Sequence, residues 1–164
     1  MNMPRSALMA TLWFVLFVSA LLFAEPAPAA PFDPEHPYVV KDDGTVDWYV
    51  YSGYRRYHAD CHVCHGPDGM GSSFAPALAT SMKTLTYEEF LEVVTNGRKN
   101  VNTASDKVMP AFGTNLNVMC FIDDLYAYLK ARADNKIDRG RPAKHEDKPD
   151  DVKERDASCM GSGG

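Results

Sequence analysis

The sequence predicts an all-α domain of three main helices between residues 47 and 133. Three observations carry this: apolar residues recur with helical period in three stretches, each stretch has start or stop signals, and no strand-length alternation competes. The first helix opens at Asp47, a good N-cap, and puts Val50, Gly53, Tyr54 and Tyr57 on one face. The second has Thr86 followed three residues later by Glu89, the pattern of a capping box, then Phe90, Val93 and Val94, and it stops at Asn96-Gly97. The third carries Val118, Phe121, Ile122, Leu125 and Leu129 on one stripe, with Lys130 and Arg132 where the helix dipole favours positive charge.

The flanks differ from this domain in composition. Arg5 precedes 17 uncharged residues, Leu8 to Ala24, and then the small-residue stretch Ala27-Pro28-Ala29-Ala30. This predicts a secretory signal peptide over residues 1–29, with cleavage after Ala29, or after Ala30 as the second choice. The alternative is an uncleaved anchor, for which 17 residues is the short limit. Residues 30–46 are Pro-rich and polar and read as an extended lead-in with no fold of its own. From Asp134 to Gly164 there are 8 acidic and 7 basic residues and hardly any apolar ones, so this tail is expected to stay loose unless something pins it. With 164 residues and a net charge of -5, the chain is one domain with extras and lacks the basic footprint that nucleic-acid binding needs.

The chemistry is concentrated in Cys61-His62-Val63-Cys64-His65. This C-x-x-C-H string sets two thiols one helical turn apart, where they can add to the two vinyl groups of a porphyrin while His65 reaches the iron. The alternatives are a redox-active thiol pair, which lacks its βαβ context, and half a zinc site, which lacks a second ligand pair. A low-spin haem needs a second axial ligand. Met109 offers a thioether in Val108-Met109-Pro110-Ala111-Phe112-Gly113, a Pro-stiffened loop 44 residues after His65. Met82 and Met119 read instead as core filler.

These residues resemble the class I c-type cytochromes. The resemblance rests on Gly53-x-x-x-Tyr57-x-x-x-Cys61, Cys61-x-x-Cys64-His65-Gly66-Pro67-Asp68-Gly69, Pro76-Ala77-Leu78, Met109-Pro110-Ala111-Phe112 and Leu125-x-x-Tyr128-Leu129, spread over residues 47–133. It implies one covalently held haem c ringed by three main helices, with the first and last helices crossing closely at Gly53 near Tyr57 and Tyr128. It also implies that the Pro76 carbonyl accepts from the His65 ring N–H, and that Leu78 and Phe112 line the haem pocket. Arg98, directly after the helix-ending Gly97, is the candidate for a haem propionate contact.

Cys120 and Cys159 remain. Counting 100° per residue from Val118, Cys120 lies about 200° away from the core stripe and points outward. In an exported protein the simplest outcome is a disulfide with Cys159 that ties the tail over the last helix; the alternative is a buried thiol at Cys120 and a free one in the tail. Four cysteines so arranged resemble the methanol-metabolism-related c-type cytochromes. That resemblance implies a periplasmic monohaem electron carrier, not itself an enzyme, fed by a PQQ-dependent methanol or alcohol dehydrogenase and drained by a terminal oxidase or another cytochrome. Two other readings stay open: a haem enzyme or ligand sensor with a labile sixth ligand, and a subunit held permanently by its partner.

Overall fold

The computed structural model describes residues 32–102 and 105–161, and the expected signal peptide and its cleavage site lie outside them. Seven α-helices, one 3-10 turn at Pro67–Gly69 and one hairpin follow along the described chain: α1 Trp48–Asp60, α2 His62–His65, α3 Leu78–Ser81, α4 Tyr87–Asn96, β1 Arg98–Asn102, β2 Ser105–Met109, α5 Leu116–Met119, α6 Ile122–Ala133 and α7 Asp150–Cys159. The caps read from the sequence are in place. The Asp47 carboxylate accepts from Val50 N at 2.8 Å and also from Val39 N at 2.6 Å, so one cap starts α1 and anchors the lead-in. At α4, Thr86 and Glu89 bond each other's backbone N–H groups in a full capping box.

The core sits where α1 crosses α6. Val50 and Tyr57 of α1 and Leu125, Tyr128 and Leu129 of α6 are all at most 2 % exposed. A Cβ on Gly53 would stand 1.9 Å from the Asp124 carbonyl and 2.7 Å from the Tyr128 Cβ, so only glycine lets the two backbones come this close. Tyr57 and Tyr128 pack beside this point with ring centroids 5.5 Å apart. Fully buried Met82 fills the core, as expected.

Three local expectations need correction. The single third helix is two helices, α5 and α6, separated by Cys120 and a non-helical Phe121 (φ -128°, ψ 24°). The break puts Asp123 and Asp124 in the first turn of α6, where the helix dipole favours negative charge. The fold also holds one antiparallel hairpin, β1 with β2, paired from Arg98↔Met109 to Asn102↔Ser105. Its strands, RKNVN and SDKVM, lack the apolar alternation that would have announced them in the sequence.

The third correction concerns the lead-in, which has partners of its own in the tail and the core, while the tail is pinned by the expected disulfide and also carries a helix. Val46 is the junction: it bridges Val40 on one side and His145 on the other, and is 1 % exposed. The His145 ring stacks on Tyr51 at 3.6 Å, and Phe32 packs on Tyr87 at 5.3 Å. Tail helix α7 buries Val152 and Asp156, and the Cys120–Cys159 disulfide fastens its end to the start of α6.

Candidate haem site

Cys61 closes α1 and opens α2, so the helix turns just as the motif begins. Both thiols are free; Cys61 is half-buried and Cys64 exposed. Burial, then the negative groups at Asp60 and Cys64, pushes the Cys61 thiol up to about 12. A redox-active pair needs the opposite shift, so the structure disfavours that alternative. His65 is 7 % exposed and its Nδ1 stands 2.9 Å from the Pro76 carbonyl. That bond commits Nδ1 as a donor and leaves Nε2 as a bare lone pair, the state a metal-ligating imidazole requires.

The loop after His65 is tightly held. The Tyr57 hydroxyl donates to the Gly66 carbonyl at 2.5 Å, and Gly71 N donates to the His65 carbonyl at 2.7 Å. Leu78 begins α3, half-buried against the core beside this loop.

Met109 ends β2, half-buried and opposite Arg98 in the ladder. Gly97 sits against it with φ +73°, and a Cβ there would meet the Met109 carbonyl at 2.5 Å. The chain beyond is tied to the end of α4 by Phe112 N to Val94 O at 2.9 Å and Gly113 N to Thr95 O at 3.0 Å. Hairpin and helix end therefore hold the methionine loop from both sides. Arg98 lies on the surface at the start of β1, and Phe112 packs against the core.

The donor set fits a haem. Two unbridged thiols one turn apart, an imidazole with its outer nitrogen bare and a thioether on a separate fixed loop suit covalent attachment with two axial ligands. Large apolar side chains also stand exposed on these elements, Val63 and Phe74 at 71 % and Val108 at 55 %, as expected where an apolar macrocycle belongs. Among the described residues no group of three or more His, Cys, Asp or Glu is arranged to hold a metal ion, which disfavours the zinc alternative.

Residues 50–129 match the family model for subunit III of cbb3-type cytochrome c oxidase. The chain is 58 % identical over 123 residues to cytochrome c-553I of Paracoccus denitrificans, a match that covers 75 % of this chain but only 54 % of that relative. It is 40 % identical over 96 residues to cytochrome c-555 of Methylococcus capsulatus, covering 58 % of this chain and 72 % of that protein. The chain is a class I c-type cytochrome. Its fold is also that of the crystal structure of the c-type cytochrome XoxG from Methylobacterium extorquens AM1, at 46 % identity and a TM-score of 0.64 over 80 % of this chain and 85 % of that one.

As a member of that family the cytochrome carries one covalently bound haem c. Among the described residues no helix is long and apolar enough to cross a membrane. Two residues of the cytochrome already named from its sequence, Asp68 and Arg132, make contacts beside the site that their motifs did not announce. Asp68 is 5 % exposed with φ +59°, and the 8 % exposed Arg132 donates to the carbonyls of Asp68 at 3.3 Å and Ile137 at 2.6 Å. In sequence, Arg132 reads as a dipole-neutralising helix end. A Pro-Asp-Gly turn gives little warning of a buried carboxylate.

Proposed function

We propose that the cytochrome is a monohaem electron carrier of the periplasm. It takes single electrons from a quinoprotein methanol or alcohol dehydrogenase and passes them to a terminal oxidase or another cytochrome. The observation that carries the reading is the pair of separately braced donors: His65, oriented through the Pro76 carbonyl, and Met109, fixed between Gly97 and the tethered Phe112. Haem, when bound, supplies a one-electron iron couple at the ends of these two side chains.

Each residue then has a task. Cys61 and Cys64 would carry the thioether links, and His65 and Met109 would offer the iron a nitrogen and a sulfur ligand. The Pro76 carbonyl holds the imidazole and raises its basicity. Leu78 and Phe112 exclude water from the pocket, and Arg98 offers a guanidinium to a propionate. A sixth ligand clamped on both sides favours electron transfer over chemistry at an open iron, so the carrier reading stands ahead of a haem enzyme or sensor. The resemblance to methanol-metabolism-related cytochromes supports the donor, and the export signal supports the compartment.

Met109→Ala should abolish the sulfur-to-iron band in the red of the ferric spectrum, lower the potential and admit carbon monoxide to the ferrous protein; Met70→Ala, Met82→Ala and Met119→Ala should keep the band. An unchanged band in Met109→Ala reassigns the ligand. Rapid carbon monoxide binding by the unmutated protein at neutral pH makes it a sensor or enzyme. Normal growth on methanol by a deletion strain of the native host would remove the proposed donor.

A further inference from the structure

The tail meets the haem loop at one buried residue. Asp68 follows His65 by three positions, and its carboxylate receives the Gly140 amide at 3.0 Å on Oδ1 and the Arg139 guanidinium at 3.3 Å on Oδ2. His58 Nε2 lies 3.5 Å from Oδ1. The Asp68 carbonyl accepts from Arg132, which also holds the Ile137 carbonyl. Loop and tail are thus stitched together twice, through residues 64 to 72 positions apart in sequence. Burial alone would push the Asp68 carboxyl up. The Gly140 amide, the Arg139 guanidinium, His58 and Arg132 outweigh it and hold the carboxyl below its ordinary range, so the group stays charged.

A left-handed backbone at a non-glycine residue, a charge that is 5 % exposed and two tail donors together make a specified contact. A fixed negative charge beside the axial-histidine loop favours ferric over ferrous iron, because the oxidised centre carries one more positive charge. A guanidinium on that carboxylate offsets the effect.

We propose that Asp68 is a positioning residue through which the C-terminal tail sets the reduction potential: it fixes the loop that carries His65 and places there a charge that Arg139 partly cancels. The proposal rests on the reading of His65 as an iron ligand. It gives the tail a part in tuning the haem.

The test is made on the intact holoprotein by spectroelectrochemistry, with limited proteolysis of the tail alongside. Asp68→Asn should raise the midpoint potential and Arg139→Ala should lower it. The Arg139→Ala shift should be the smaller, since that side chain is 63 % exposed and screened by solvent. Arg139→Lys should return toward the parent value, and tail cleavage should quicken in Asp68→Asn. Opposite signs from the two ends of one ion pair are the signature of a charge felt at the iron. Shifts of the same sign would overturn the proposal, because a loop merely loosened admits water to the haem in both variants. Unmoved potentials would overturn it as well. If Asp68→Asn does not retain haem, Arg139→Ala decides alone, since an exposed arginine is dispensable for folding. A parent spectrum without histidine-methionine ligation would defeat the ligand reading instead.

Discussion

The haem loop, residues 61–71, and the tail, residues 134–161, are both polar segments that hold a helix each among irregular stretches, yet they are ordered by different means. Apart from the contacts of Asp68 with Arg132, Arg139 and Gly140, the loop is organised locally: its bonds run from Tyr57 to Gly66 and from Gly71 to His65, and its helix turn joins Cys61 to His65. The tail is organised at long range. Tyr38 donates to Asp134 across 96 residues, Lys144 reaches Asp43 across 101, and Arg141 reaches the Tyr51 hydroxyl across 90. Composition describes how much apolar surface a segment brings, not how many partners wait for it. The tail brings little beyond Val152, and it is ordered because α1, the haem loop and the lead-in present acceptors and rings along its path, and Cys120 at the end of α5 holds it by a disulfide.

The sharpest way to break this contrast is to cut the disulfide. It closes a loop of 39 residues, and Cys159→Ser should cost up to about 4 kcal/mol in the chain-entropy picture. Residues beyond Ala133 should become protease-sensitive while the haem spectrum stays nearly unchanged. Parent-like melting and cleavage would mean that the long-range bonds hold the tail alone.

Gly53→Ala attacks the element both regions lean on. The added methyl has no room against the Asp124 carbonyl, so α1 and α6 must separate, at a cost of about 3 kcal/mol. Thermal melts should show the loss, and a parent-like midpoint would show that the crossing is wider in solution.

Asp124 links the crossing to the tail. It is fully buried, its oxygens make no well-formed hydrogen bond, and the Arg155 guanidinium of α7 stands 3.6 Å away. Burial raises its carboxyl from 3.8 to about 7, against the pull of Ser52 and Arg155. The folded state therefore holds a proton the unfolded chain has lost between these values, so this group's contribution falls as pH rises from about 4 to about 7 and is level above. Asp124→Asn should flatten that slope and add on the order of 1 kcal/mol at pH 8, with little change near pH 4. Melting midpoints across the range measure it. A parallel slope in parent and variant would place the titration elsewhere.

The smallest effect belongs to the solvent-exposed contact between the flanks. Lys41 meets Glu146 at 2.7 Å with both side chains about half exposed. Lys41→Ala should change stability by less than about 0.5 kcal/mol, and less still in high salt. A larger loss in a denaturant titration would mean that the flanks are joined mainly by charge.

Much of this molecule can be read without coordinates because its signals are local. Asp47 and the Thr86–Glu89 box act on backbone N–H groups within three residues, and Cys61, Cys64 and His65 lie within one helical turn. The glycine that admits α6 is likewise a single-residue signal. Nothing local could announce the Asp68 clamp, the contact between Arg132 and the Asp68 carbonyl or the bridge from Val46 to His145, because these partners come from distant parts of the chain, 64 residues away for Arg132 and 72 for Gly140. The hairpin is illegible for a different reason: RKNVN and SDKVM are mostly polar and carry no period-two apolar pattern. The break between α5 and α6 hid behind a continuous apolar stripe, with only Asp123 and Asp124 to mark the new helix start. The sequence by itself determined α1 and α4 with their caps, the apolar stripe of α6 and the chemistry of the haem motif, since each depends on atoms a few residues apart. Only the tertiary structure decided that lead-in and tail fold onto one another and onto the haem loop, because the buried surface and partners that order them exist only once α1 and α6 have crossed.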